Sequence, residues 1–142
     1  MGIFNKLFGS KKEYPPLPQD NEANTQLNEL KEPLEDLAHR VSDHIEVVPA
    51  DHEAFVFLGK PPKNFGIAWI HEGKVSGLKE LIEDHNLSQG AAADMVDRMG
   101  KAYSLAVETP RYSAELGDKK AVVIASSELE KELRDIMENT IH

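Results

Sequence analysis

Histidine is the side chain best suited to moving protons near neutral pH, and this chain has six. His71 is followed by Glu72 and stands two residues after Trp69. A histidine beside an acid at a strand end can do acid–base work. Neighbours on a strand point to opposite faces, so the two meet only if a turn bends them together. Asp36, His39 and Asp43 are spaced three and four apart, which places an imidazole and two carboxylates on one helical face. That is the donor set of a weak metal site. Paired-helix metal centres repeat a Glu-x-x-His pattern on a second helix, and the chain has no second copy. Asp36 can instead pair with Arg40 one turn on. A small enzyme with a histidine-based acid–base site would therefore use His71 first, then His39 and His85. No metal or cofactor is expected.

Other catalytic patterns fail on particular residues. A phosphate loop ending in Gly73-Lys74 needs glycine at 68 and Ser or Thr at 75, where the chain has Ala68 and Val75. Around Gly59-Lys60, prolines follow where backbone N–H donors are needed, and no Gly-x-Gly-x-x-Gly fingerprint occurs. Without cysteine there are no disulfides, thiolate zinc sites or cysteine nucleophiles. Ser127 stands three residues before Glu130, the spacing of a helix capping box, and that role accounts for it.

These residues need elements to carry them. Leu27, Leu30, Leu34, Leu37 and Val41 recur at spacings of three and four, followed by Ile45. With Pro33 at its start and Pro49 as a stop, this predicts a first helix from about Glu32 to Val47. The same leucine stripe resembles a coiled-coil seam, so a homo-oligomer is a further expectation. Ala54–Leu58 and Phe65–Ile70 read as strands, and Glu72-Gly73 as a tight turn. Helical patterns follow at Leu78–His85 and Gln89–Val107, with Ser88 as an N-cap. Arg111–Leu116 and Lys119–Ala125 form a second hairpin about Gly117-Asp118, and a helix from Ser127 closes the chain. The order is α-ββ-αα-ββ-α, an α+β fold with a mainly antiparallel sheet of about four strands, in two hairpins, flanked by helices.

Leu78–Tyr103 also has the outline of a helix-turn-helix. Its reading helix would offer Arg98 and Lys101 against Asp94 and Asp97, too little net positive charge to release counterions from DNA. The whole 142-residue chain has a formal charge of −9. Residues 1–12 contribute Lys6, Lys11 and Lys12 and no acid, so the remainder stands at −12. Nucleic acid is not an expected partner.

Three parts follow: a basic amphipathic tail over residues 1–12, a proline-rich linker over 13–23, and one α+β domain over 24–142. No run approaches a membrane span, and Asn5 and Lys6 interrupt the only apolar start, so a cytoplasmic protein is expected. Within the tail, 3/7 and 4/8 are i,i+4 pairs, which puts Ile3, Phe4, Leu7 and Phe8 on one side of a short helix with Lys11 and Lys12 close by. Burying four such side chains is worth roughly 6–12 kcal/mol. Ordering eight residues costs about 8 kcal/mol or more. A membrane interface buries only part of each side chain, so contact with an anionic membrane would be weak, whereas a protein groove buries them fully. The expected role is a non-enzymatic interaction or regulatory module that docks a protein partner through this tail.

Overall fold

Asn21 opens the first helix by accepting a hydrogen bond from the Ala23 backbone N–H at 2.9 Å. The structure is a computed structural model that describes residues 14–61, 64–106 and 108–141. The tail, with Ile3, Phe4, Leu7, Phe8, Lys11 and Lys12, lies outside the described residues. Helix α1 spans Glu22–Glu29 and helix α2 spans Lys31–Arg40. Strands β1 (Ile45–Ala50), β2 (Glu53–Lys60), β3 (Asn64–His71) and β4 (Lys74–Gly77) follow. Helices α3 (Leu78–His85) and α4 (Gln89–Leu105), strands β5 (Arg111–Leu116) and β6 (Lys119–Ile124), and helix α5 (Ser127–Ile141) complete the order.

The fold is α+β, with five helices among the described residues, and the sheet has six strands in the order β4-β3-β2-β1-β6-β5. Both hairpins read from the sequence form, β2 with β3 and β5 with β6. Two strands correct the expectation of about four. β1 lies where the first helix was expected to continue: Ile45 and Val47 fit the helical spacing, but they also alternate, and one face of β1 takes both. Val41 caps α2 in extended conformation and ends that helix at Arg40. Pro49 sits inside β1 instead of stopping a helix. The parallel register with β6 covers only Glu46 and Val47, so the missing N–H of Pro49 falls beyond that ladder. β4 is short, four residues after a two-residue turn in which Glu72 and Gly73 both have positive φ, the geometry that hairpins favour. The sheet is therefore mixed, since β1 and β6 run parallel.

Helices cover both faces, which explains why every residue of β1 is buried. On one face α1 and α2 lay Leu27, Leu30, Leu34 and Leu37 against Val47, Val56 and Val123. The stripe with coiled-coil spacing is thus the inner face of this layer. Pro33 occupies the first turn of α2, where its missing N–H has no helical partner to lose. On the other face α3, α4 and α5 bring Leu81, Met95, Met99, Leu133 and Met137 onto Phe55, Phe57 and Ile124.

The starts of α1, α4 and α5 are capped by side chains. Ser88 Oγ accepts from the Ala91 N–H at 3.0 Å, the cap expected for α4. For α5 the cap is Ser126, not Ser127: its Oγ accepts from the Leu129 N–H at 3.0 Å, and Ser127 is the first helical residue. Glu130 pairs instead with Arg134 in the i,i+4 relation read from the sequence. The proline-rich stretch runs along the outer edge of β5. Leu17 donates its N–H to the Ser113 carbonyl at 3.0 Å, and Ser113 donates to the Pro15 carbonyl at 2.8 Å. This strap occupies backbone groups that an open sheet edge would leave unpaired. Leu34 is fully buried between α2 and the sheet, so Leu34→Ala should lower the stability to urea by about 2–5 kcal/mol, read from the denaturation midpoint at constant slope.

Candidate functional site

Helix α4 presents two different surfaces. Met95, Met99 and Ala102 face the sheet. Ala93, Val96, Gly100 and Ser104 lie on a flank that the sheet does not cover, and with Leu105 they wall an open groove of about 800 Å³ closed on its other side by Phe65 and Leu78. The spacing of 93, 96, 100 and 104 follows the helix turn by turn. Leu105 ends the helix with 87% of its surface exposed, while Phe65, Leu78 and Val96 are half-buried. Asp97 and Lys101 form the rim and pair with each other at 3.1 Å. The groove is apolar along its floor and charged only at its lip.

Beneath the C-terminal half of α4 lies a cluster of polar side chains inside the protein. Glu46 projects from β1 on the same face as Phe57, its register partner on β2. Its Oε1 accepts a hydrogen bond from the Tyr103 hydroxyl at 2.7 Å. The Arg111 guanidinium stands 4.0 Å from the same oxygen and lies over the Tyr103 ring, 5.4 Å from its centroid. Arg111 also donates to the carbonyls of Ala106 and Thr109 at 3.1 and 3.3 Å, tying the end of α4 to the start of β5. The other carboxylate oxygen of Glu46 faces His44 Nε2 at 3.3 Å. A charge in so dry a place needs such partners, and Glu46 has them on three sides.

The cluster and the groove are joined through aromatic rings. Phe57 packs against Tyr103 at 5.2 Å between centroids, edge to face, and against Phe65 at 5.7 Å. Phe65 thus forms the groove wall while resting on a ring fixed from below by Tyr103. Removing the tyrosine hydroxyl would loosen α4 beside its most exposed apolar residue.

The histidines named from sequence do not meet in one place. His39 is exposed near the end of α2, His71 is exposed at the end of β3, and His85 is half-buried at the end of α3. His71 stacks flat on Trp69, 4.5 Å between ring centroids. Trp69 donates its indole N–H to Glu53 at 2.9 Å, and Glu53 in turn faces Arg134 at 3.3 Å. His52 pairs with Glu29 at 3.0 Å in solvent. Asp36 is engaged with Arg40 at 3.2 Å, the local pair anticipated beside the metal reading. Among the described residues no three His, Asp or Glu side chains gather as metal ligands. Arg98 and Lys101, the basic residues of the helix-turn-helix outline, are paired with Asp94 and Asp97.

Sequence reading did not find Glu46, because it was placed near the end of a helix. It did not find the groove either, since Phe65 and Leu105 belong to different elements and no spacing rule relates them. Protein-family models, curated proteins and solved structures give no match to this chain.

Burial, the hydrogen bond to Glu46 and the Glu46 charge raise the Tyr103 phenol to about 12, against the opposing charge of Arg111. The folded state thus holds this proton more tightly than the unfolded chain does. The stabilisation is fully present below pH 10 and is lost as pH rises through about 12. Absorbance at 295 nm should show one phenol titrating near 12, missing in Tyr103→Phe. At neutral pH the same substitution should cost about 1.5–3 kcal/mol in urea unfolding, as expected for losing a hydrogen bond to a buried charge.

Proposed function

We propose that this protein is a non-enzymatic interaction module that holds an amphipathic helical segment of a protein partner in the α4 groove. The observation that carries this reading is the groove itself. It is open, apolar along its floor and edged by charge, and it exposes Leu105, the one exposed large hydrophobic side chain among the described residues. A catalytic cavity would instead gather polar groups at its centre. The described histidines lie apart from it and from one another, which favours binding over acid–base chemistry.

Helix-in-groove recognition uses anchors at i, i+3 or i+4, and i+7, matching a wall built on the turns of α4. Asp97 and Lys101 at the rim suit a partner helix carrying both charges beside its apolar stripe, since rim charges set register more than affinity. The N-terminal residues Ile3, Phe4, Leu7 and Phe8, followed by Lys11 and Lys12, are the second apolar docking element in this reading and meet the same partner.

The test is a titration of defined components. A protein retained by the immobilised full-length chain is identified, purified and titrated against the free chain. Ala93→Glu and Leu105→Glu change exposed positions at the two ends of the groove and should leave the fold intact. Each should weaken binding at least tenfold, and Phe4→Ser with Leu7→Ser should do so as well. Equal affinity of all three variants and the parent chain would rule the module reading out.

A further inference from the structure

We infer that the helix held in the α4 groove is α4 of a second copy of this chain, the two copies pairing antiparallel about a two-fold axis. This rests on the groove being a docking surface, and adds what docks there.

The first support is charge. Helix α4 carries Asp94, Asp97, Arg98 and Lys101, with both acids on its N-terminal side and both bases on its C-terminal side. All four are exposed, and Asp97 and Lys101 form the lip of the groove. That lip suits a helix with both charges beside an apolar stripe, and α4 is itself a helix of that kind. Laid antiparallel on its copy, it sets Asp97 of one chain beside Lys101 of the other, twice. A parallel pair would set acid on acid and base on base. The order of the charges therefore selects the antiparallel arrangement, in which the helix dipoles also oppose.

The second support is the placement of Leu105. Asp97 and Lys101 centre the pair on the level of Met99, and Ala93 and Leu105 lie about 9 Å along the helix to either side of it. Antiparallel pairing thus brings the exposed Leu105 of each copy to the Ala93 end of the other's groove, where the small side chain leaves room. Two helices approach closely where the side chains between them are small, and Ala93, Gly100 and Ser104 supply that seam around Val96. Each α4 is then a wall of its own groove and the filling of the other. One contact covers both exposed leucines. Because the same patch serves both copies, the assembly closes at two.

The third support is that other routes to self-association are taken among the described residues. The leucine stripe with coiled-coil spacing packs on the sheet. The β5 edge has residues 15–17 bonded to Ser113. The β4 edge is four residues long and carries Lys74, held by Asp84, a short charged edge that resists strand pairing.

The test is sedimentation of the full chain over about 1–500 µM, where the mass should rise from one chain toward two. Leu105→Glu should weaken the dimer at least tenfold with an unchanged far-ultraviolet spectrum. Asp97→Lys leaves only bases at the lip and Lys101→Asp only acids, so each alone should pair at least fivefold more weakly than the parent. An equimolar mixture of those two variants should pair at least fivefold more tightly than either alone. A single-chain mass across the range would overturn the inference. So would a dimer that Leu105→Glu leaves at full strength, or a mixture no tighter than its components. Should the parent chain stay single while Ala93→Glu and Leu105→Glu still weaken an outside protein, the second copy is the wrong occupant and the docking reading survives.

Discussion

A carboxylate on a strand that helices cover from both sides has to be answered by donors, and Glu46 sets that demand at the centre of this protein. Residual exposure of the residue is 7%, so bulk water cannot do the solvating. The answer comes from the end of α4 through Tyr103, from the start of β5 through Arg111 and from the turn before β1 through His44. Two segments distant in sequence, around Tyr103 and Arg111, are thereby held to one side chain, with His44 beside it in the same stretch of chain. Leaving any of these donors out would expose the charge to the full desolvation cost, which is why the arrangement restricts the position of α4 more tightly than apolar packing alone would.

The groove inherits that restriction. The Tyr103 ring holds Phe57, Phe57 holds Phe65, and Phe65 walls the groove. Leu105 follows Tyr103 by two residues, so the same hydrogen bond that satisfies Glu46 fixes where the exposed leucine stands. Arg111 completes the link by clasping the loop that leaves α4. A polar contact in the interior thus positions an apolar contact at the surface. The strap over β5 is the outer counterpart: its bonds to Ser113 hold residues 15–17 along the edge of that strand.

The local chemistry of this fold was readable where a single segment carried its own signal. The β2–β3 and β5–β6 hairpins follow from apolar and aromatic runs separated by Pro- and Gly-containing turns, and Ser88 follows from its place before a helical pattern. β1 was hidden because Ile45 and Val47 satisfy two periods at once: they extend the leucine spacing of α2, and they alternate as a buried strand does. Only the pairing with β2 and β6 decides between them, and pairing is a property of distant segments. β4 was hidden by its brevity, and the α5 cap shifted to Ser126 because two adjacent serines offer the same signal. The groove had no signal of its own, since each wall reads in isolation as one face of a core-packing helix or strand. The histidines gave the opposite error, a suggestive composition that folding distributes over separate surfaces.

An apolar groove left open on an otherwise charged protein is a cost to solubility unless something covers it for part of the time. The balance of burial against ordering is what makes temporary cover possible. Four apolar side chains gain an amount comparable with the entropy lost when their segment is ordered, so no permanent attachment follows from their number alone. A helix laid in the groove would have to recover the cost of its own ordering from the few anchors the walls accept, so affinity there would follow how many apolar side chains lie along the turns of α4.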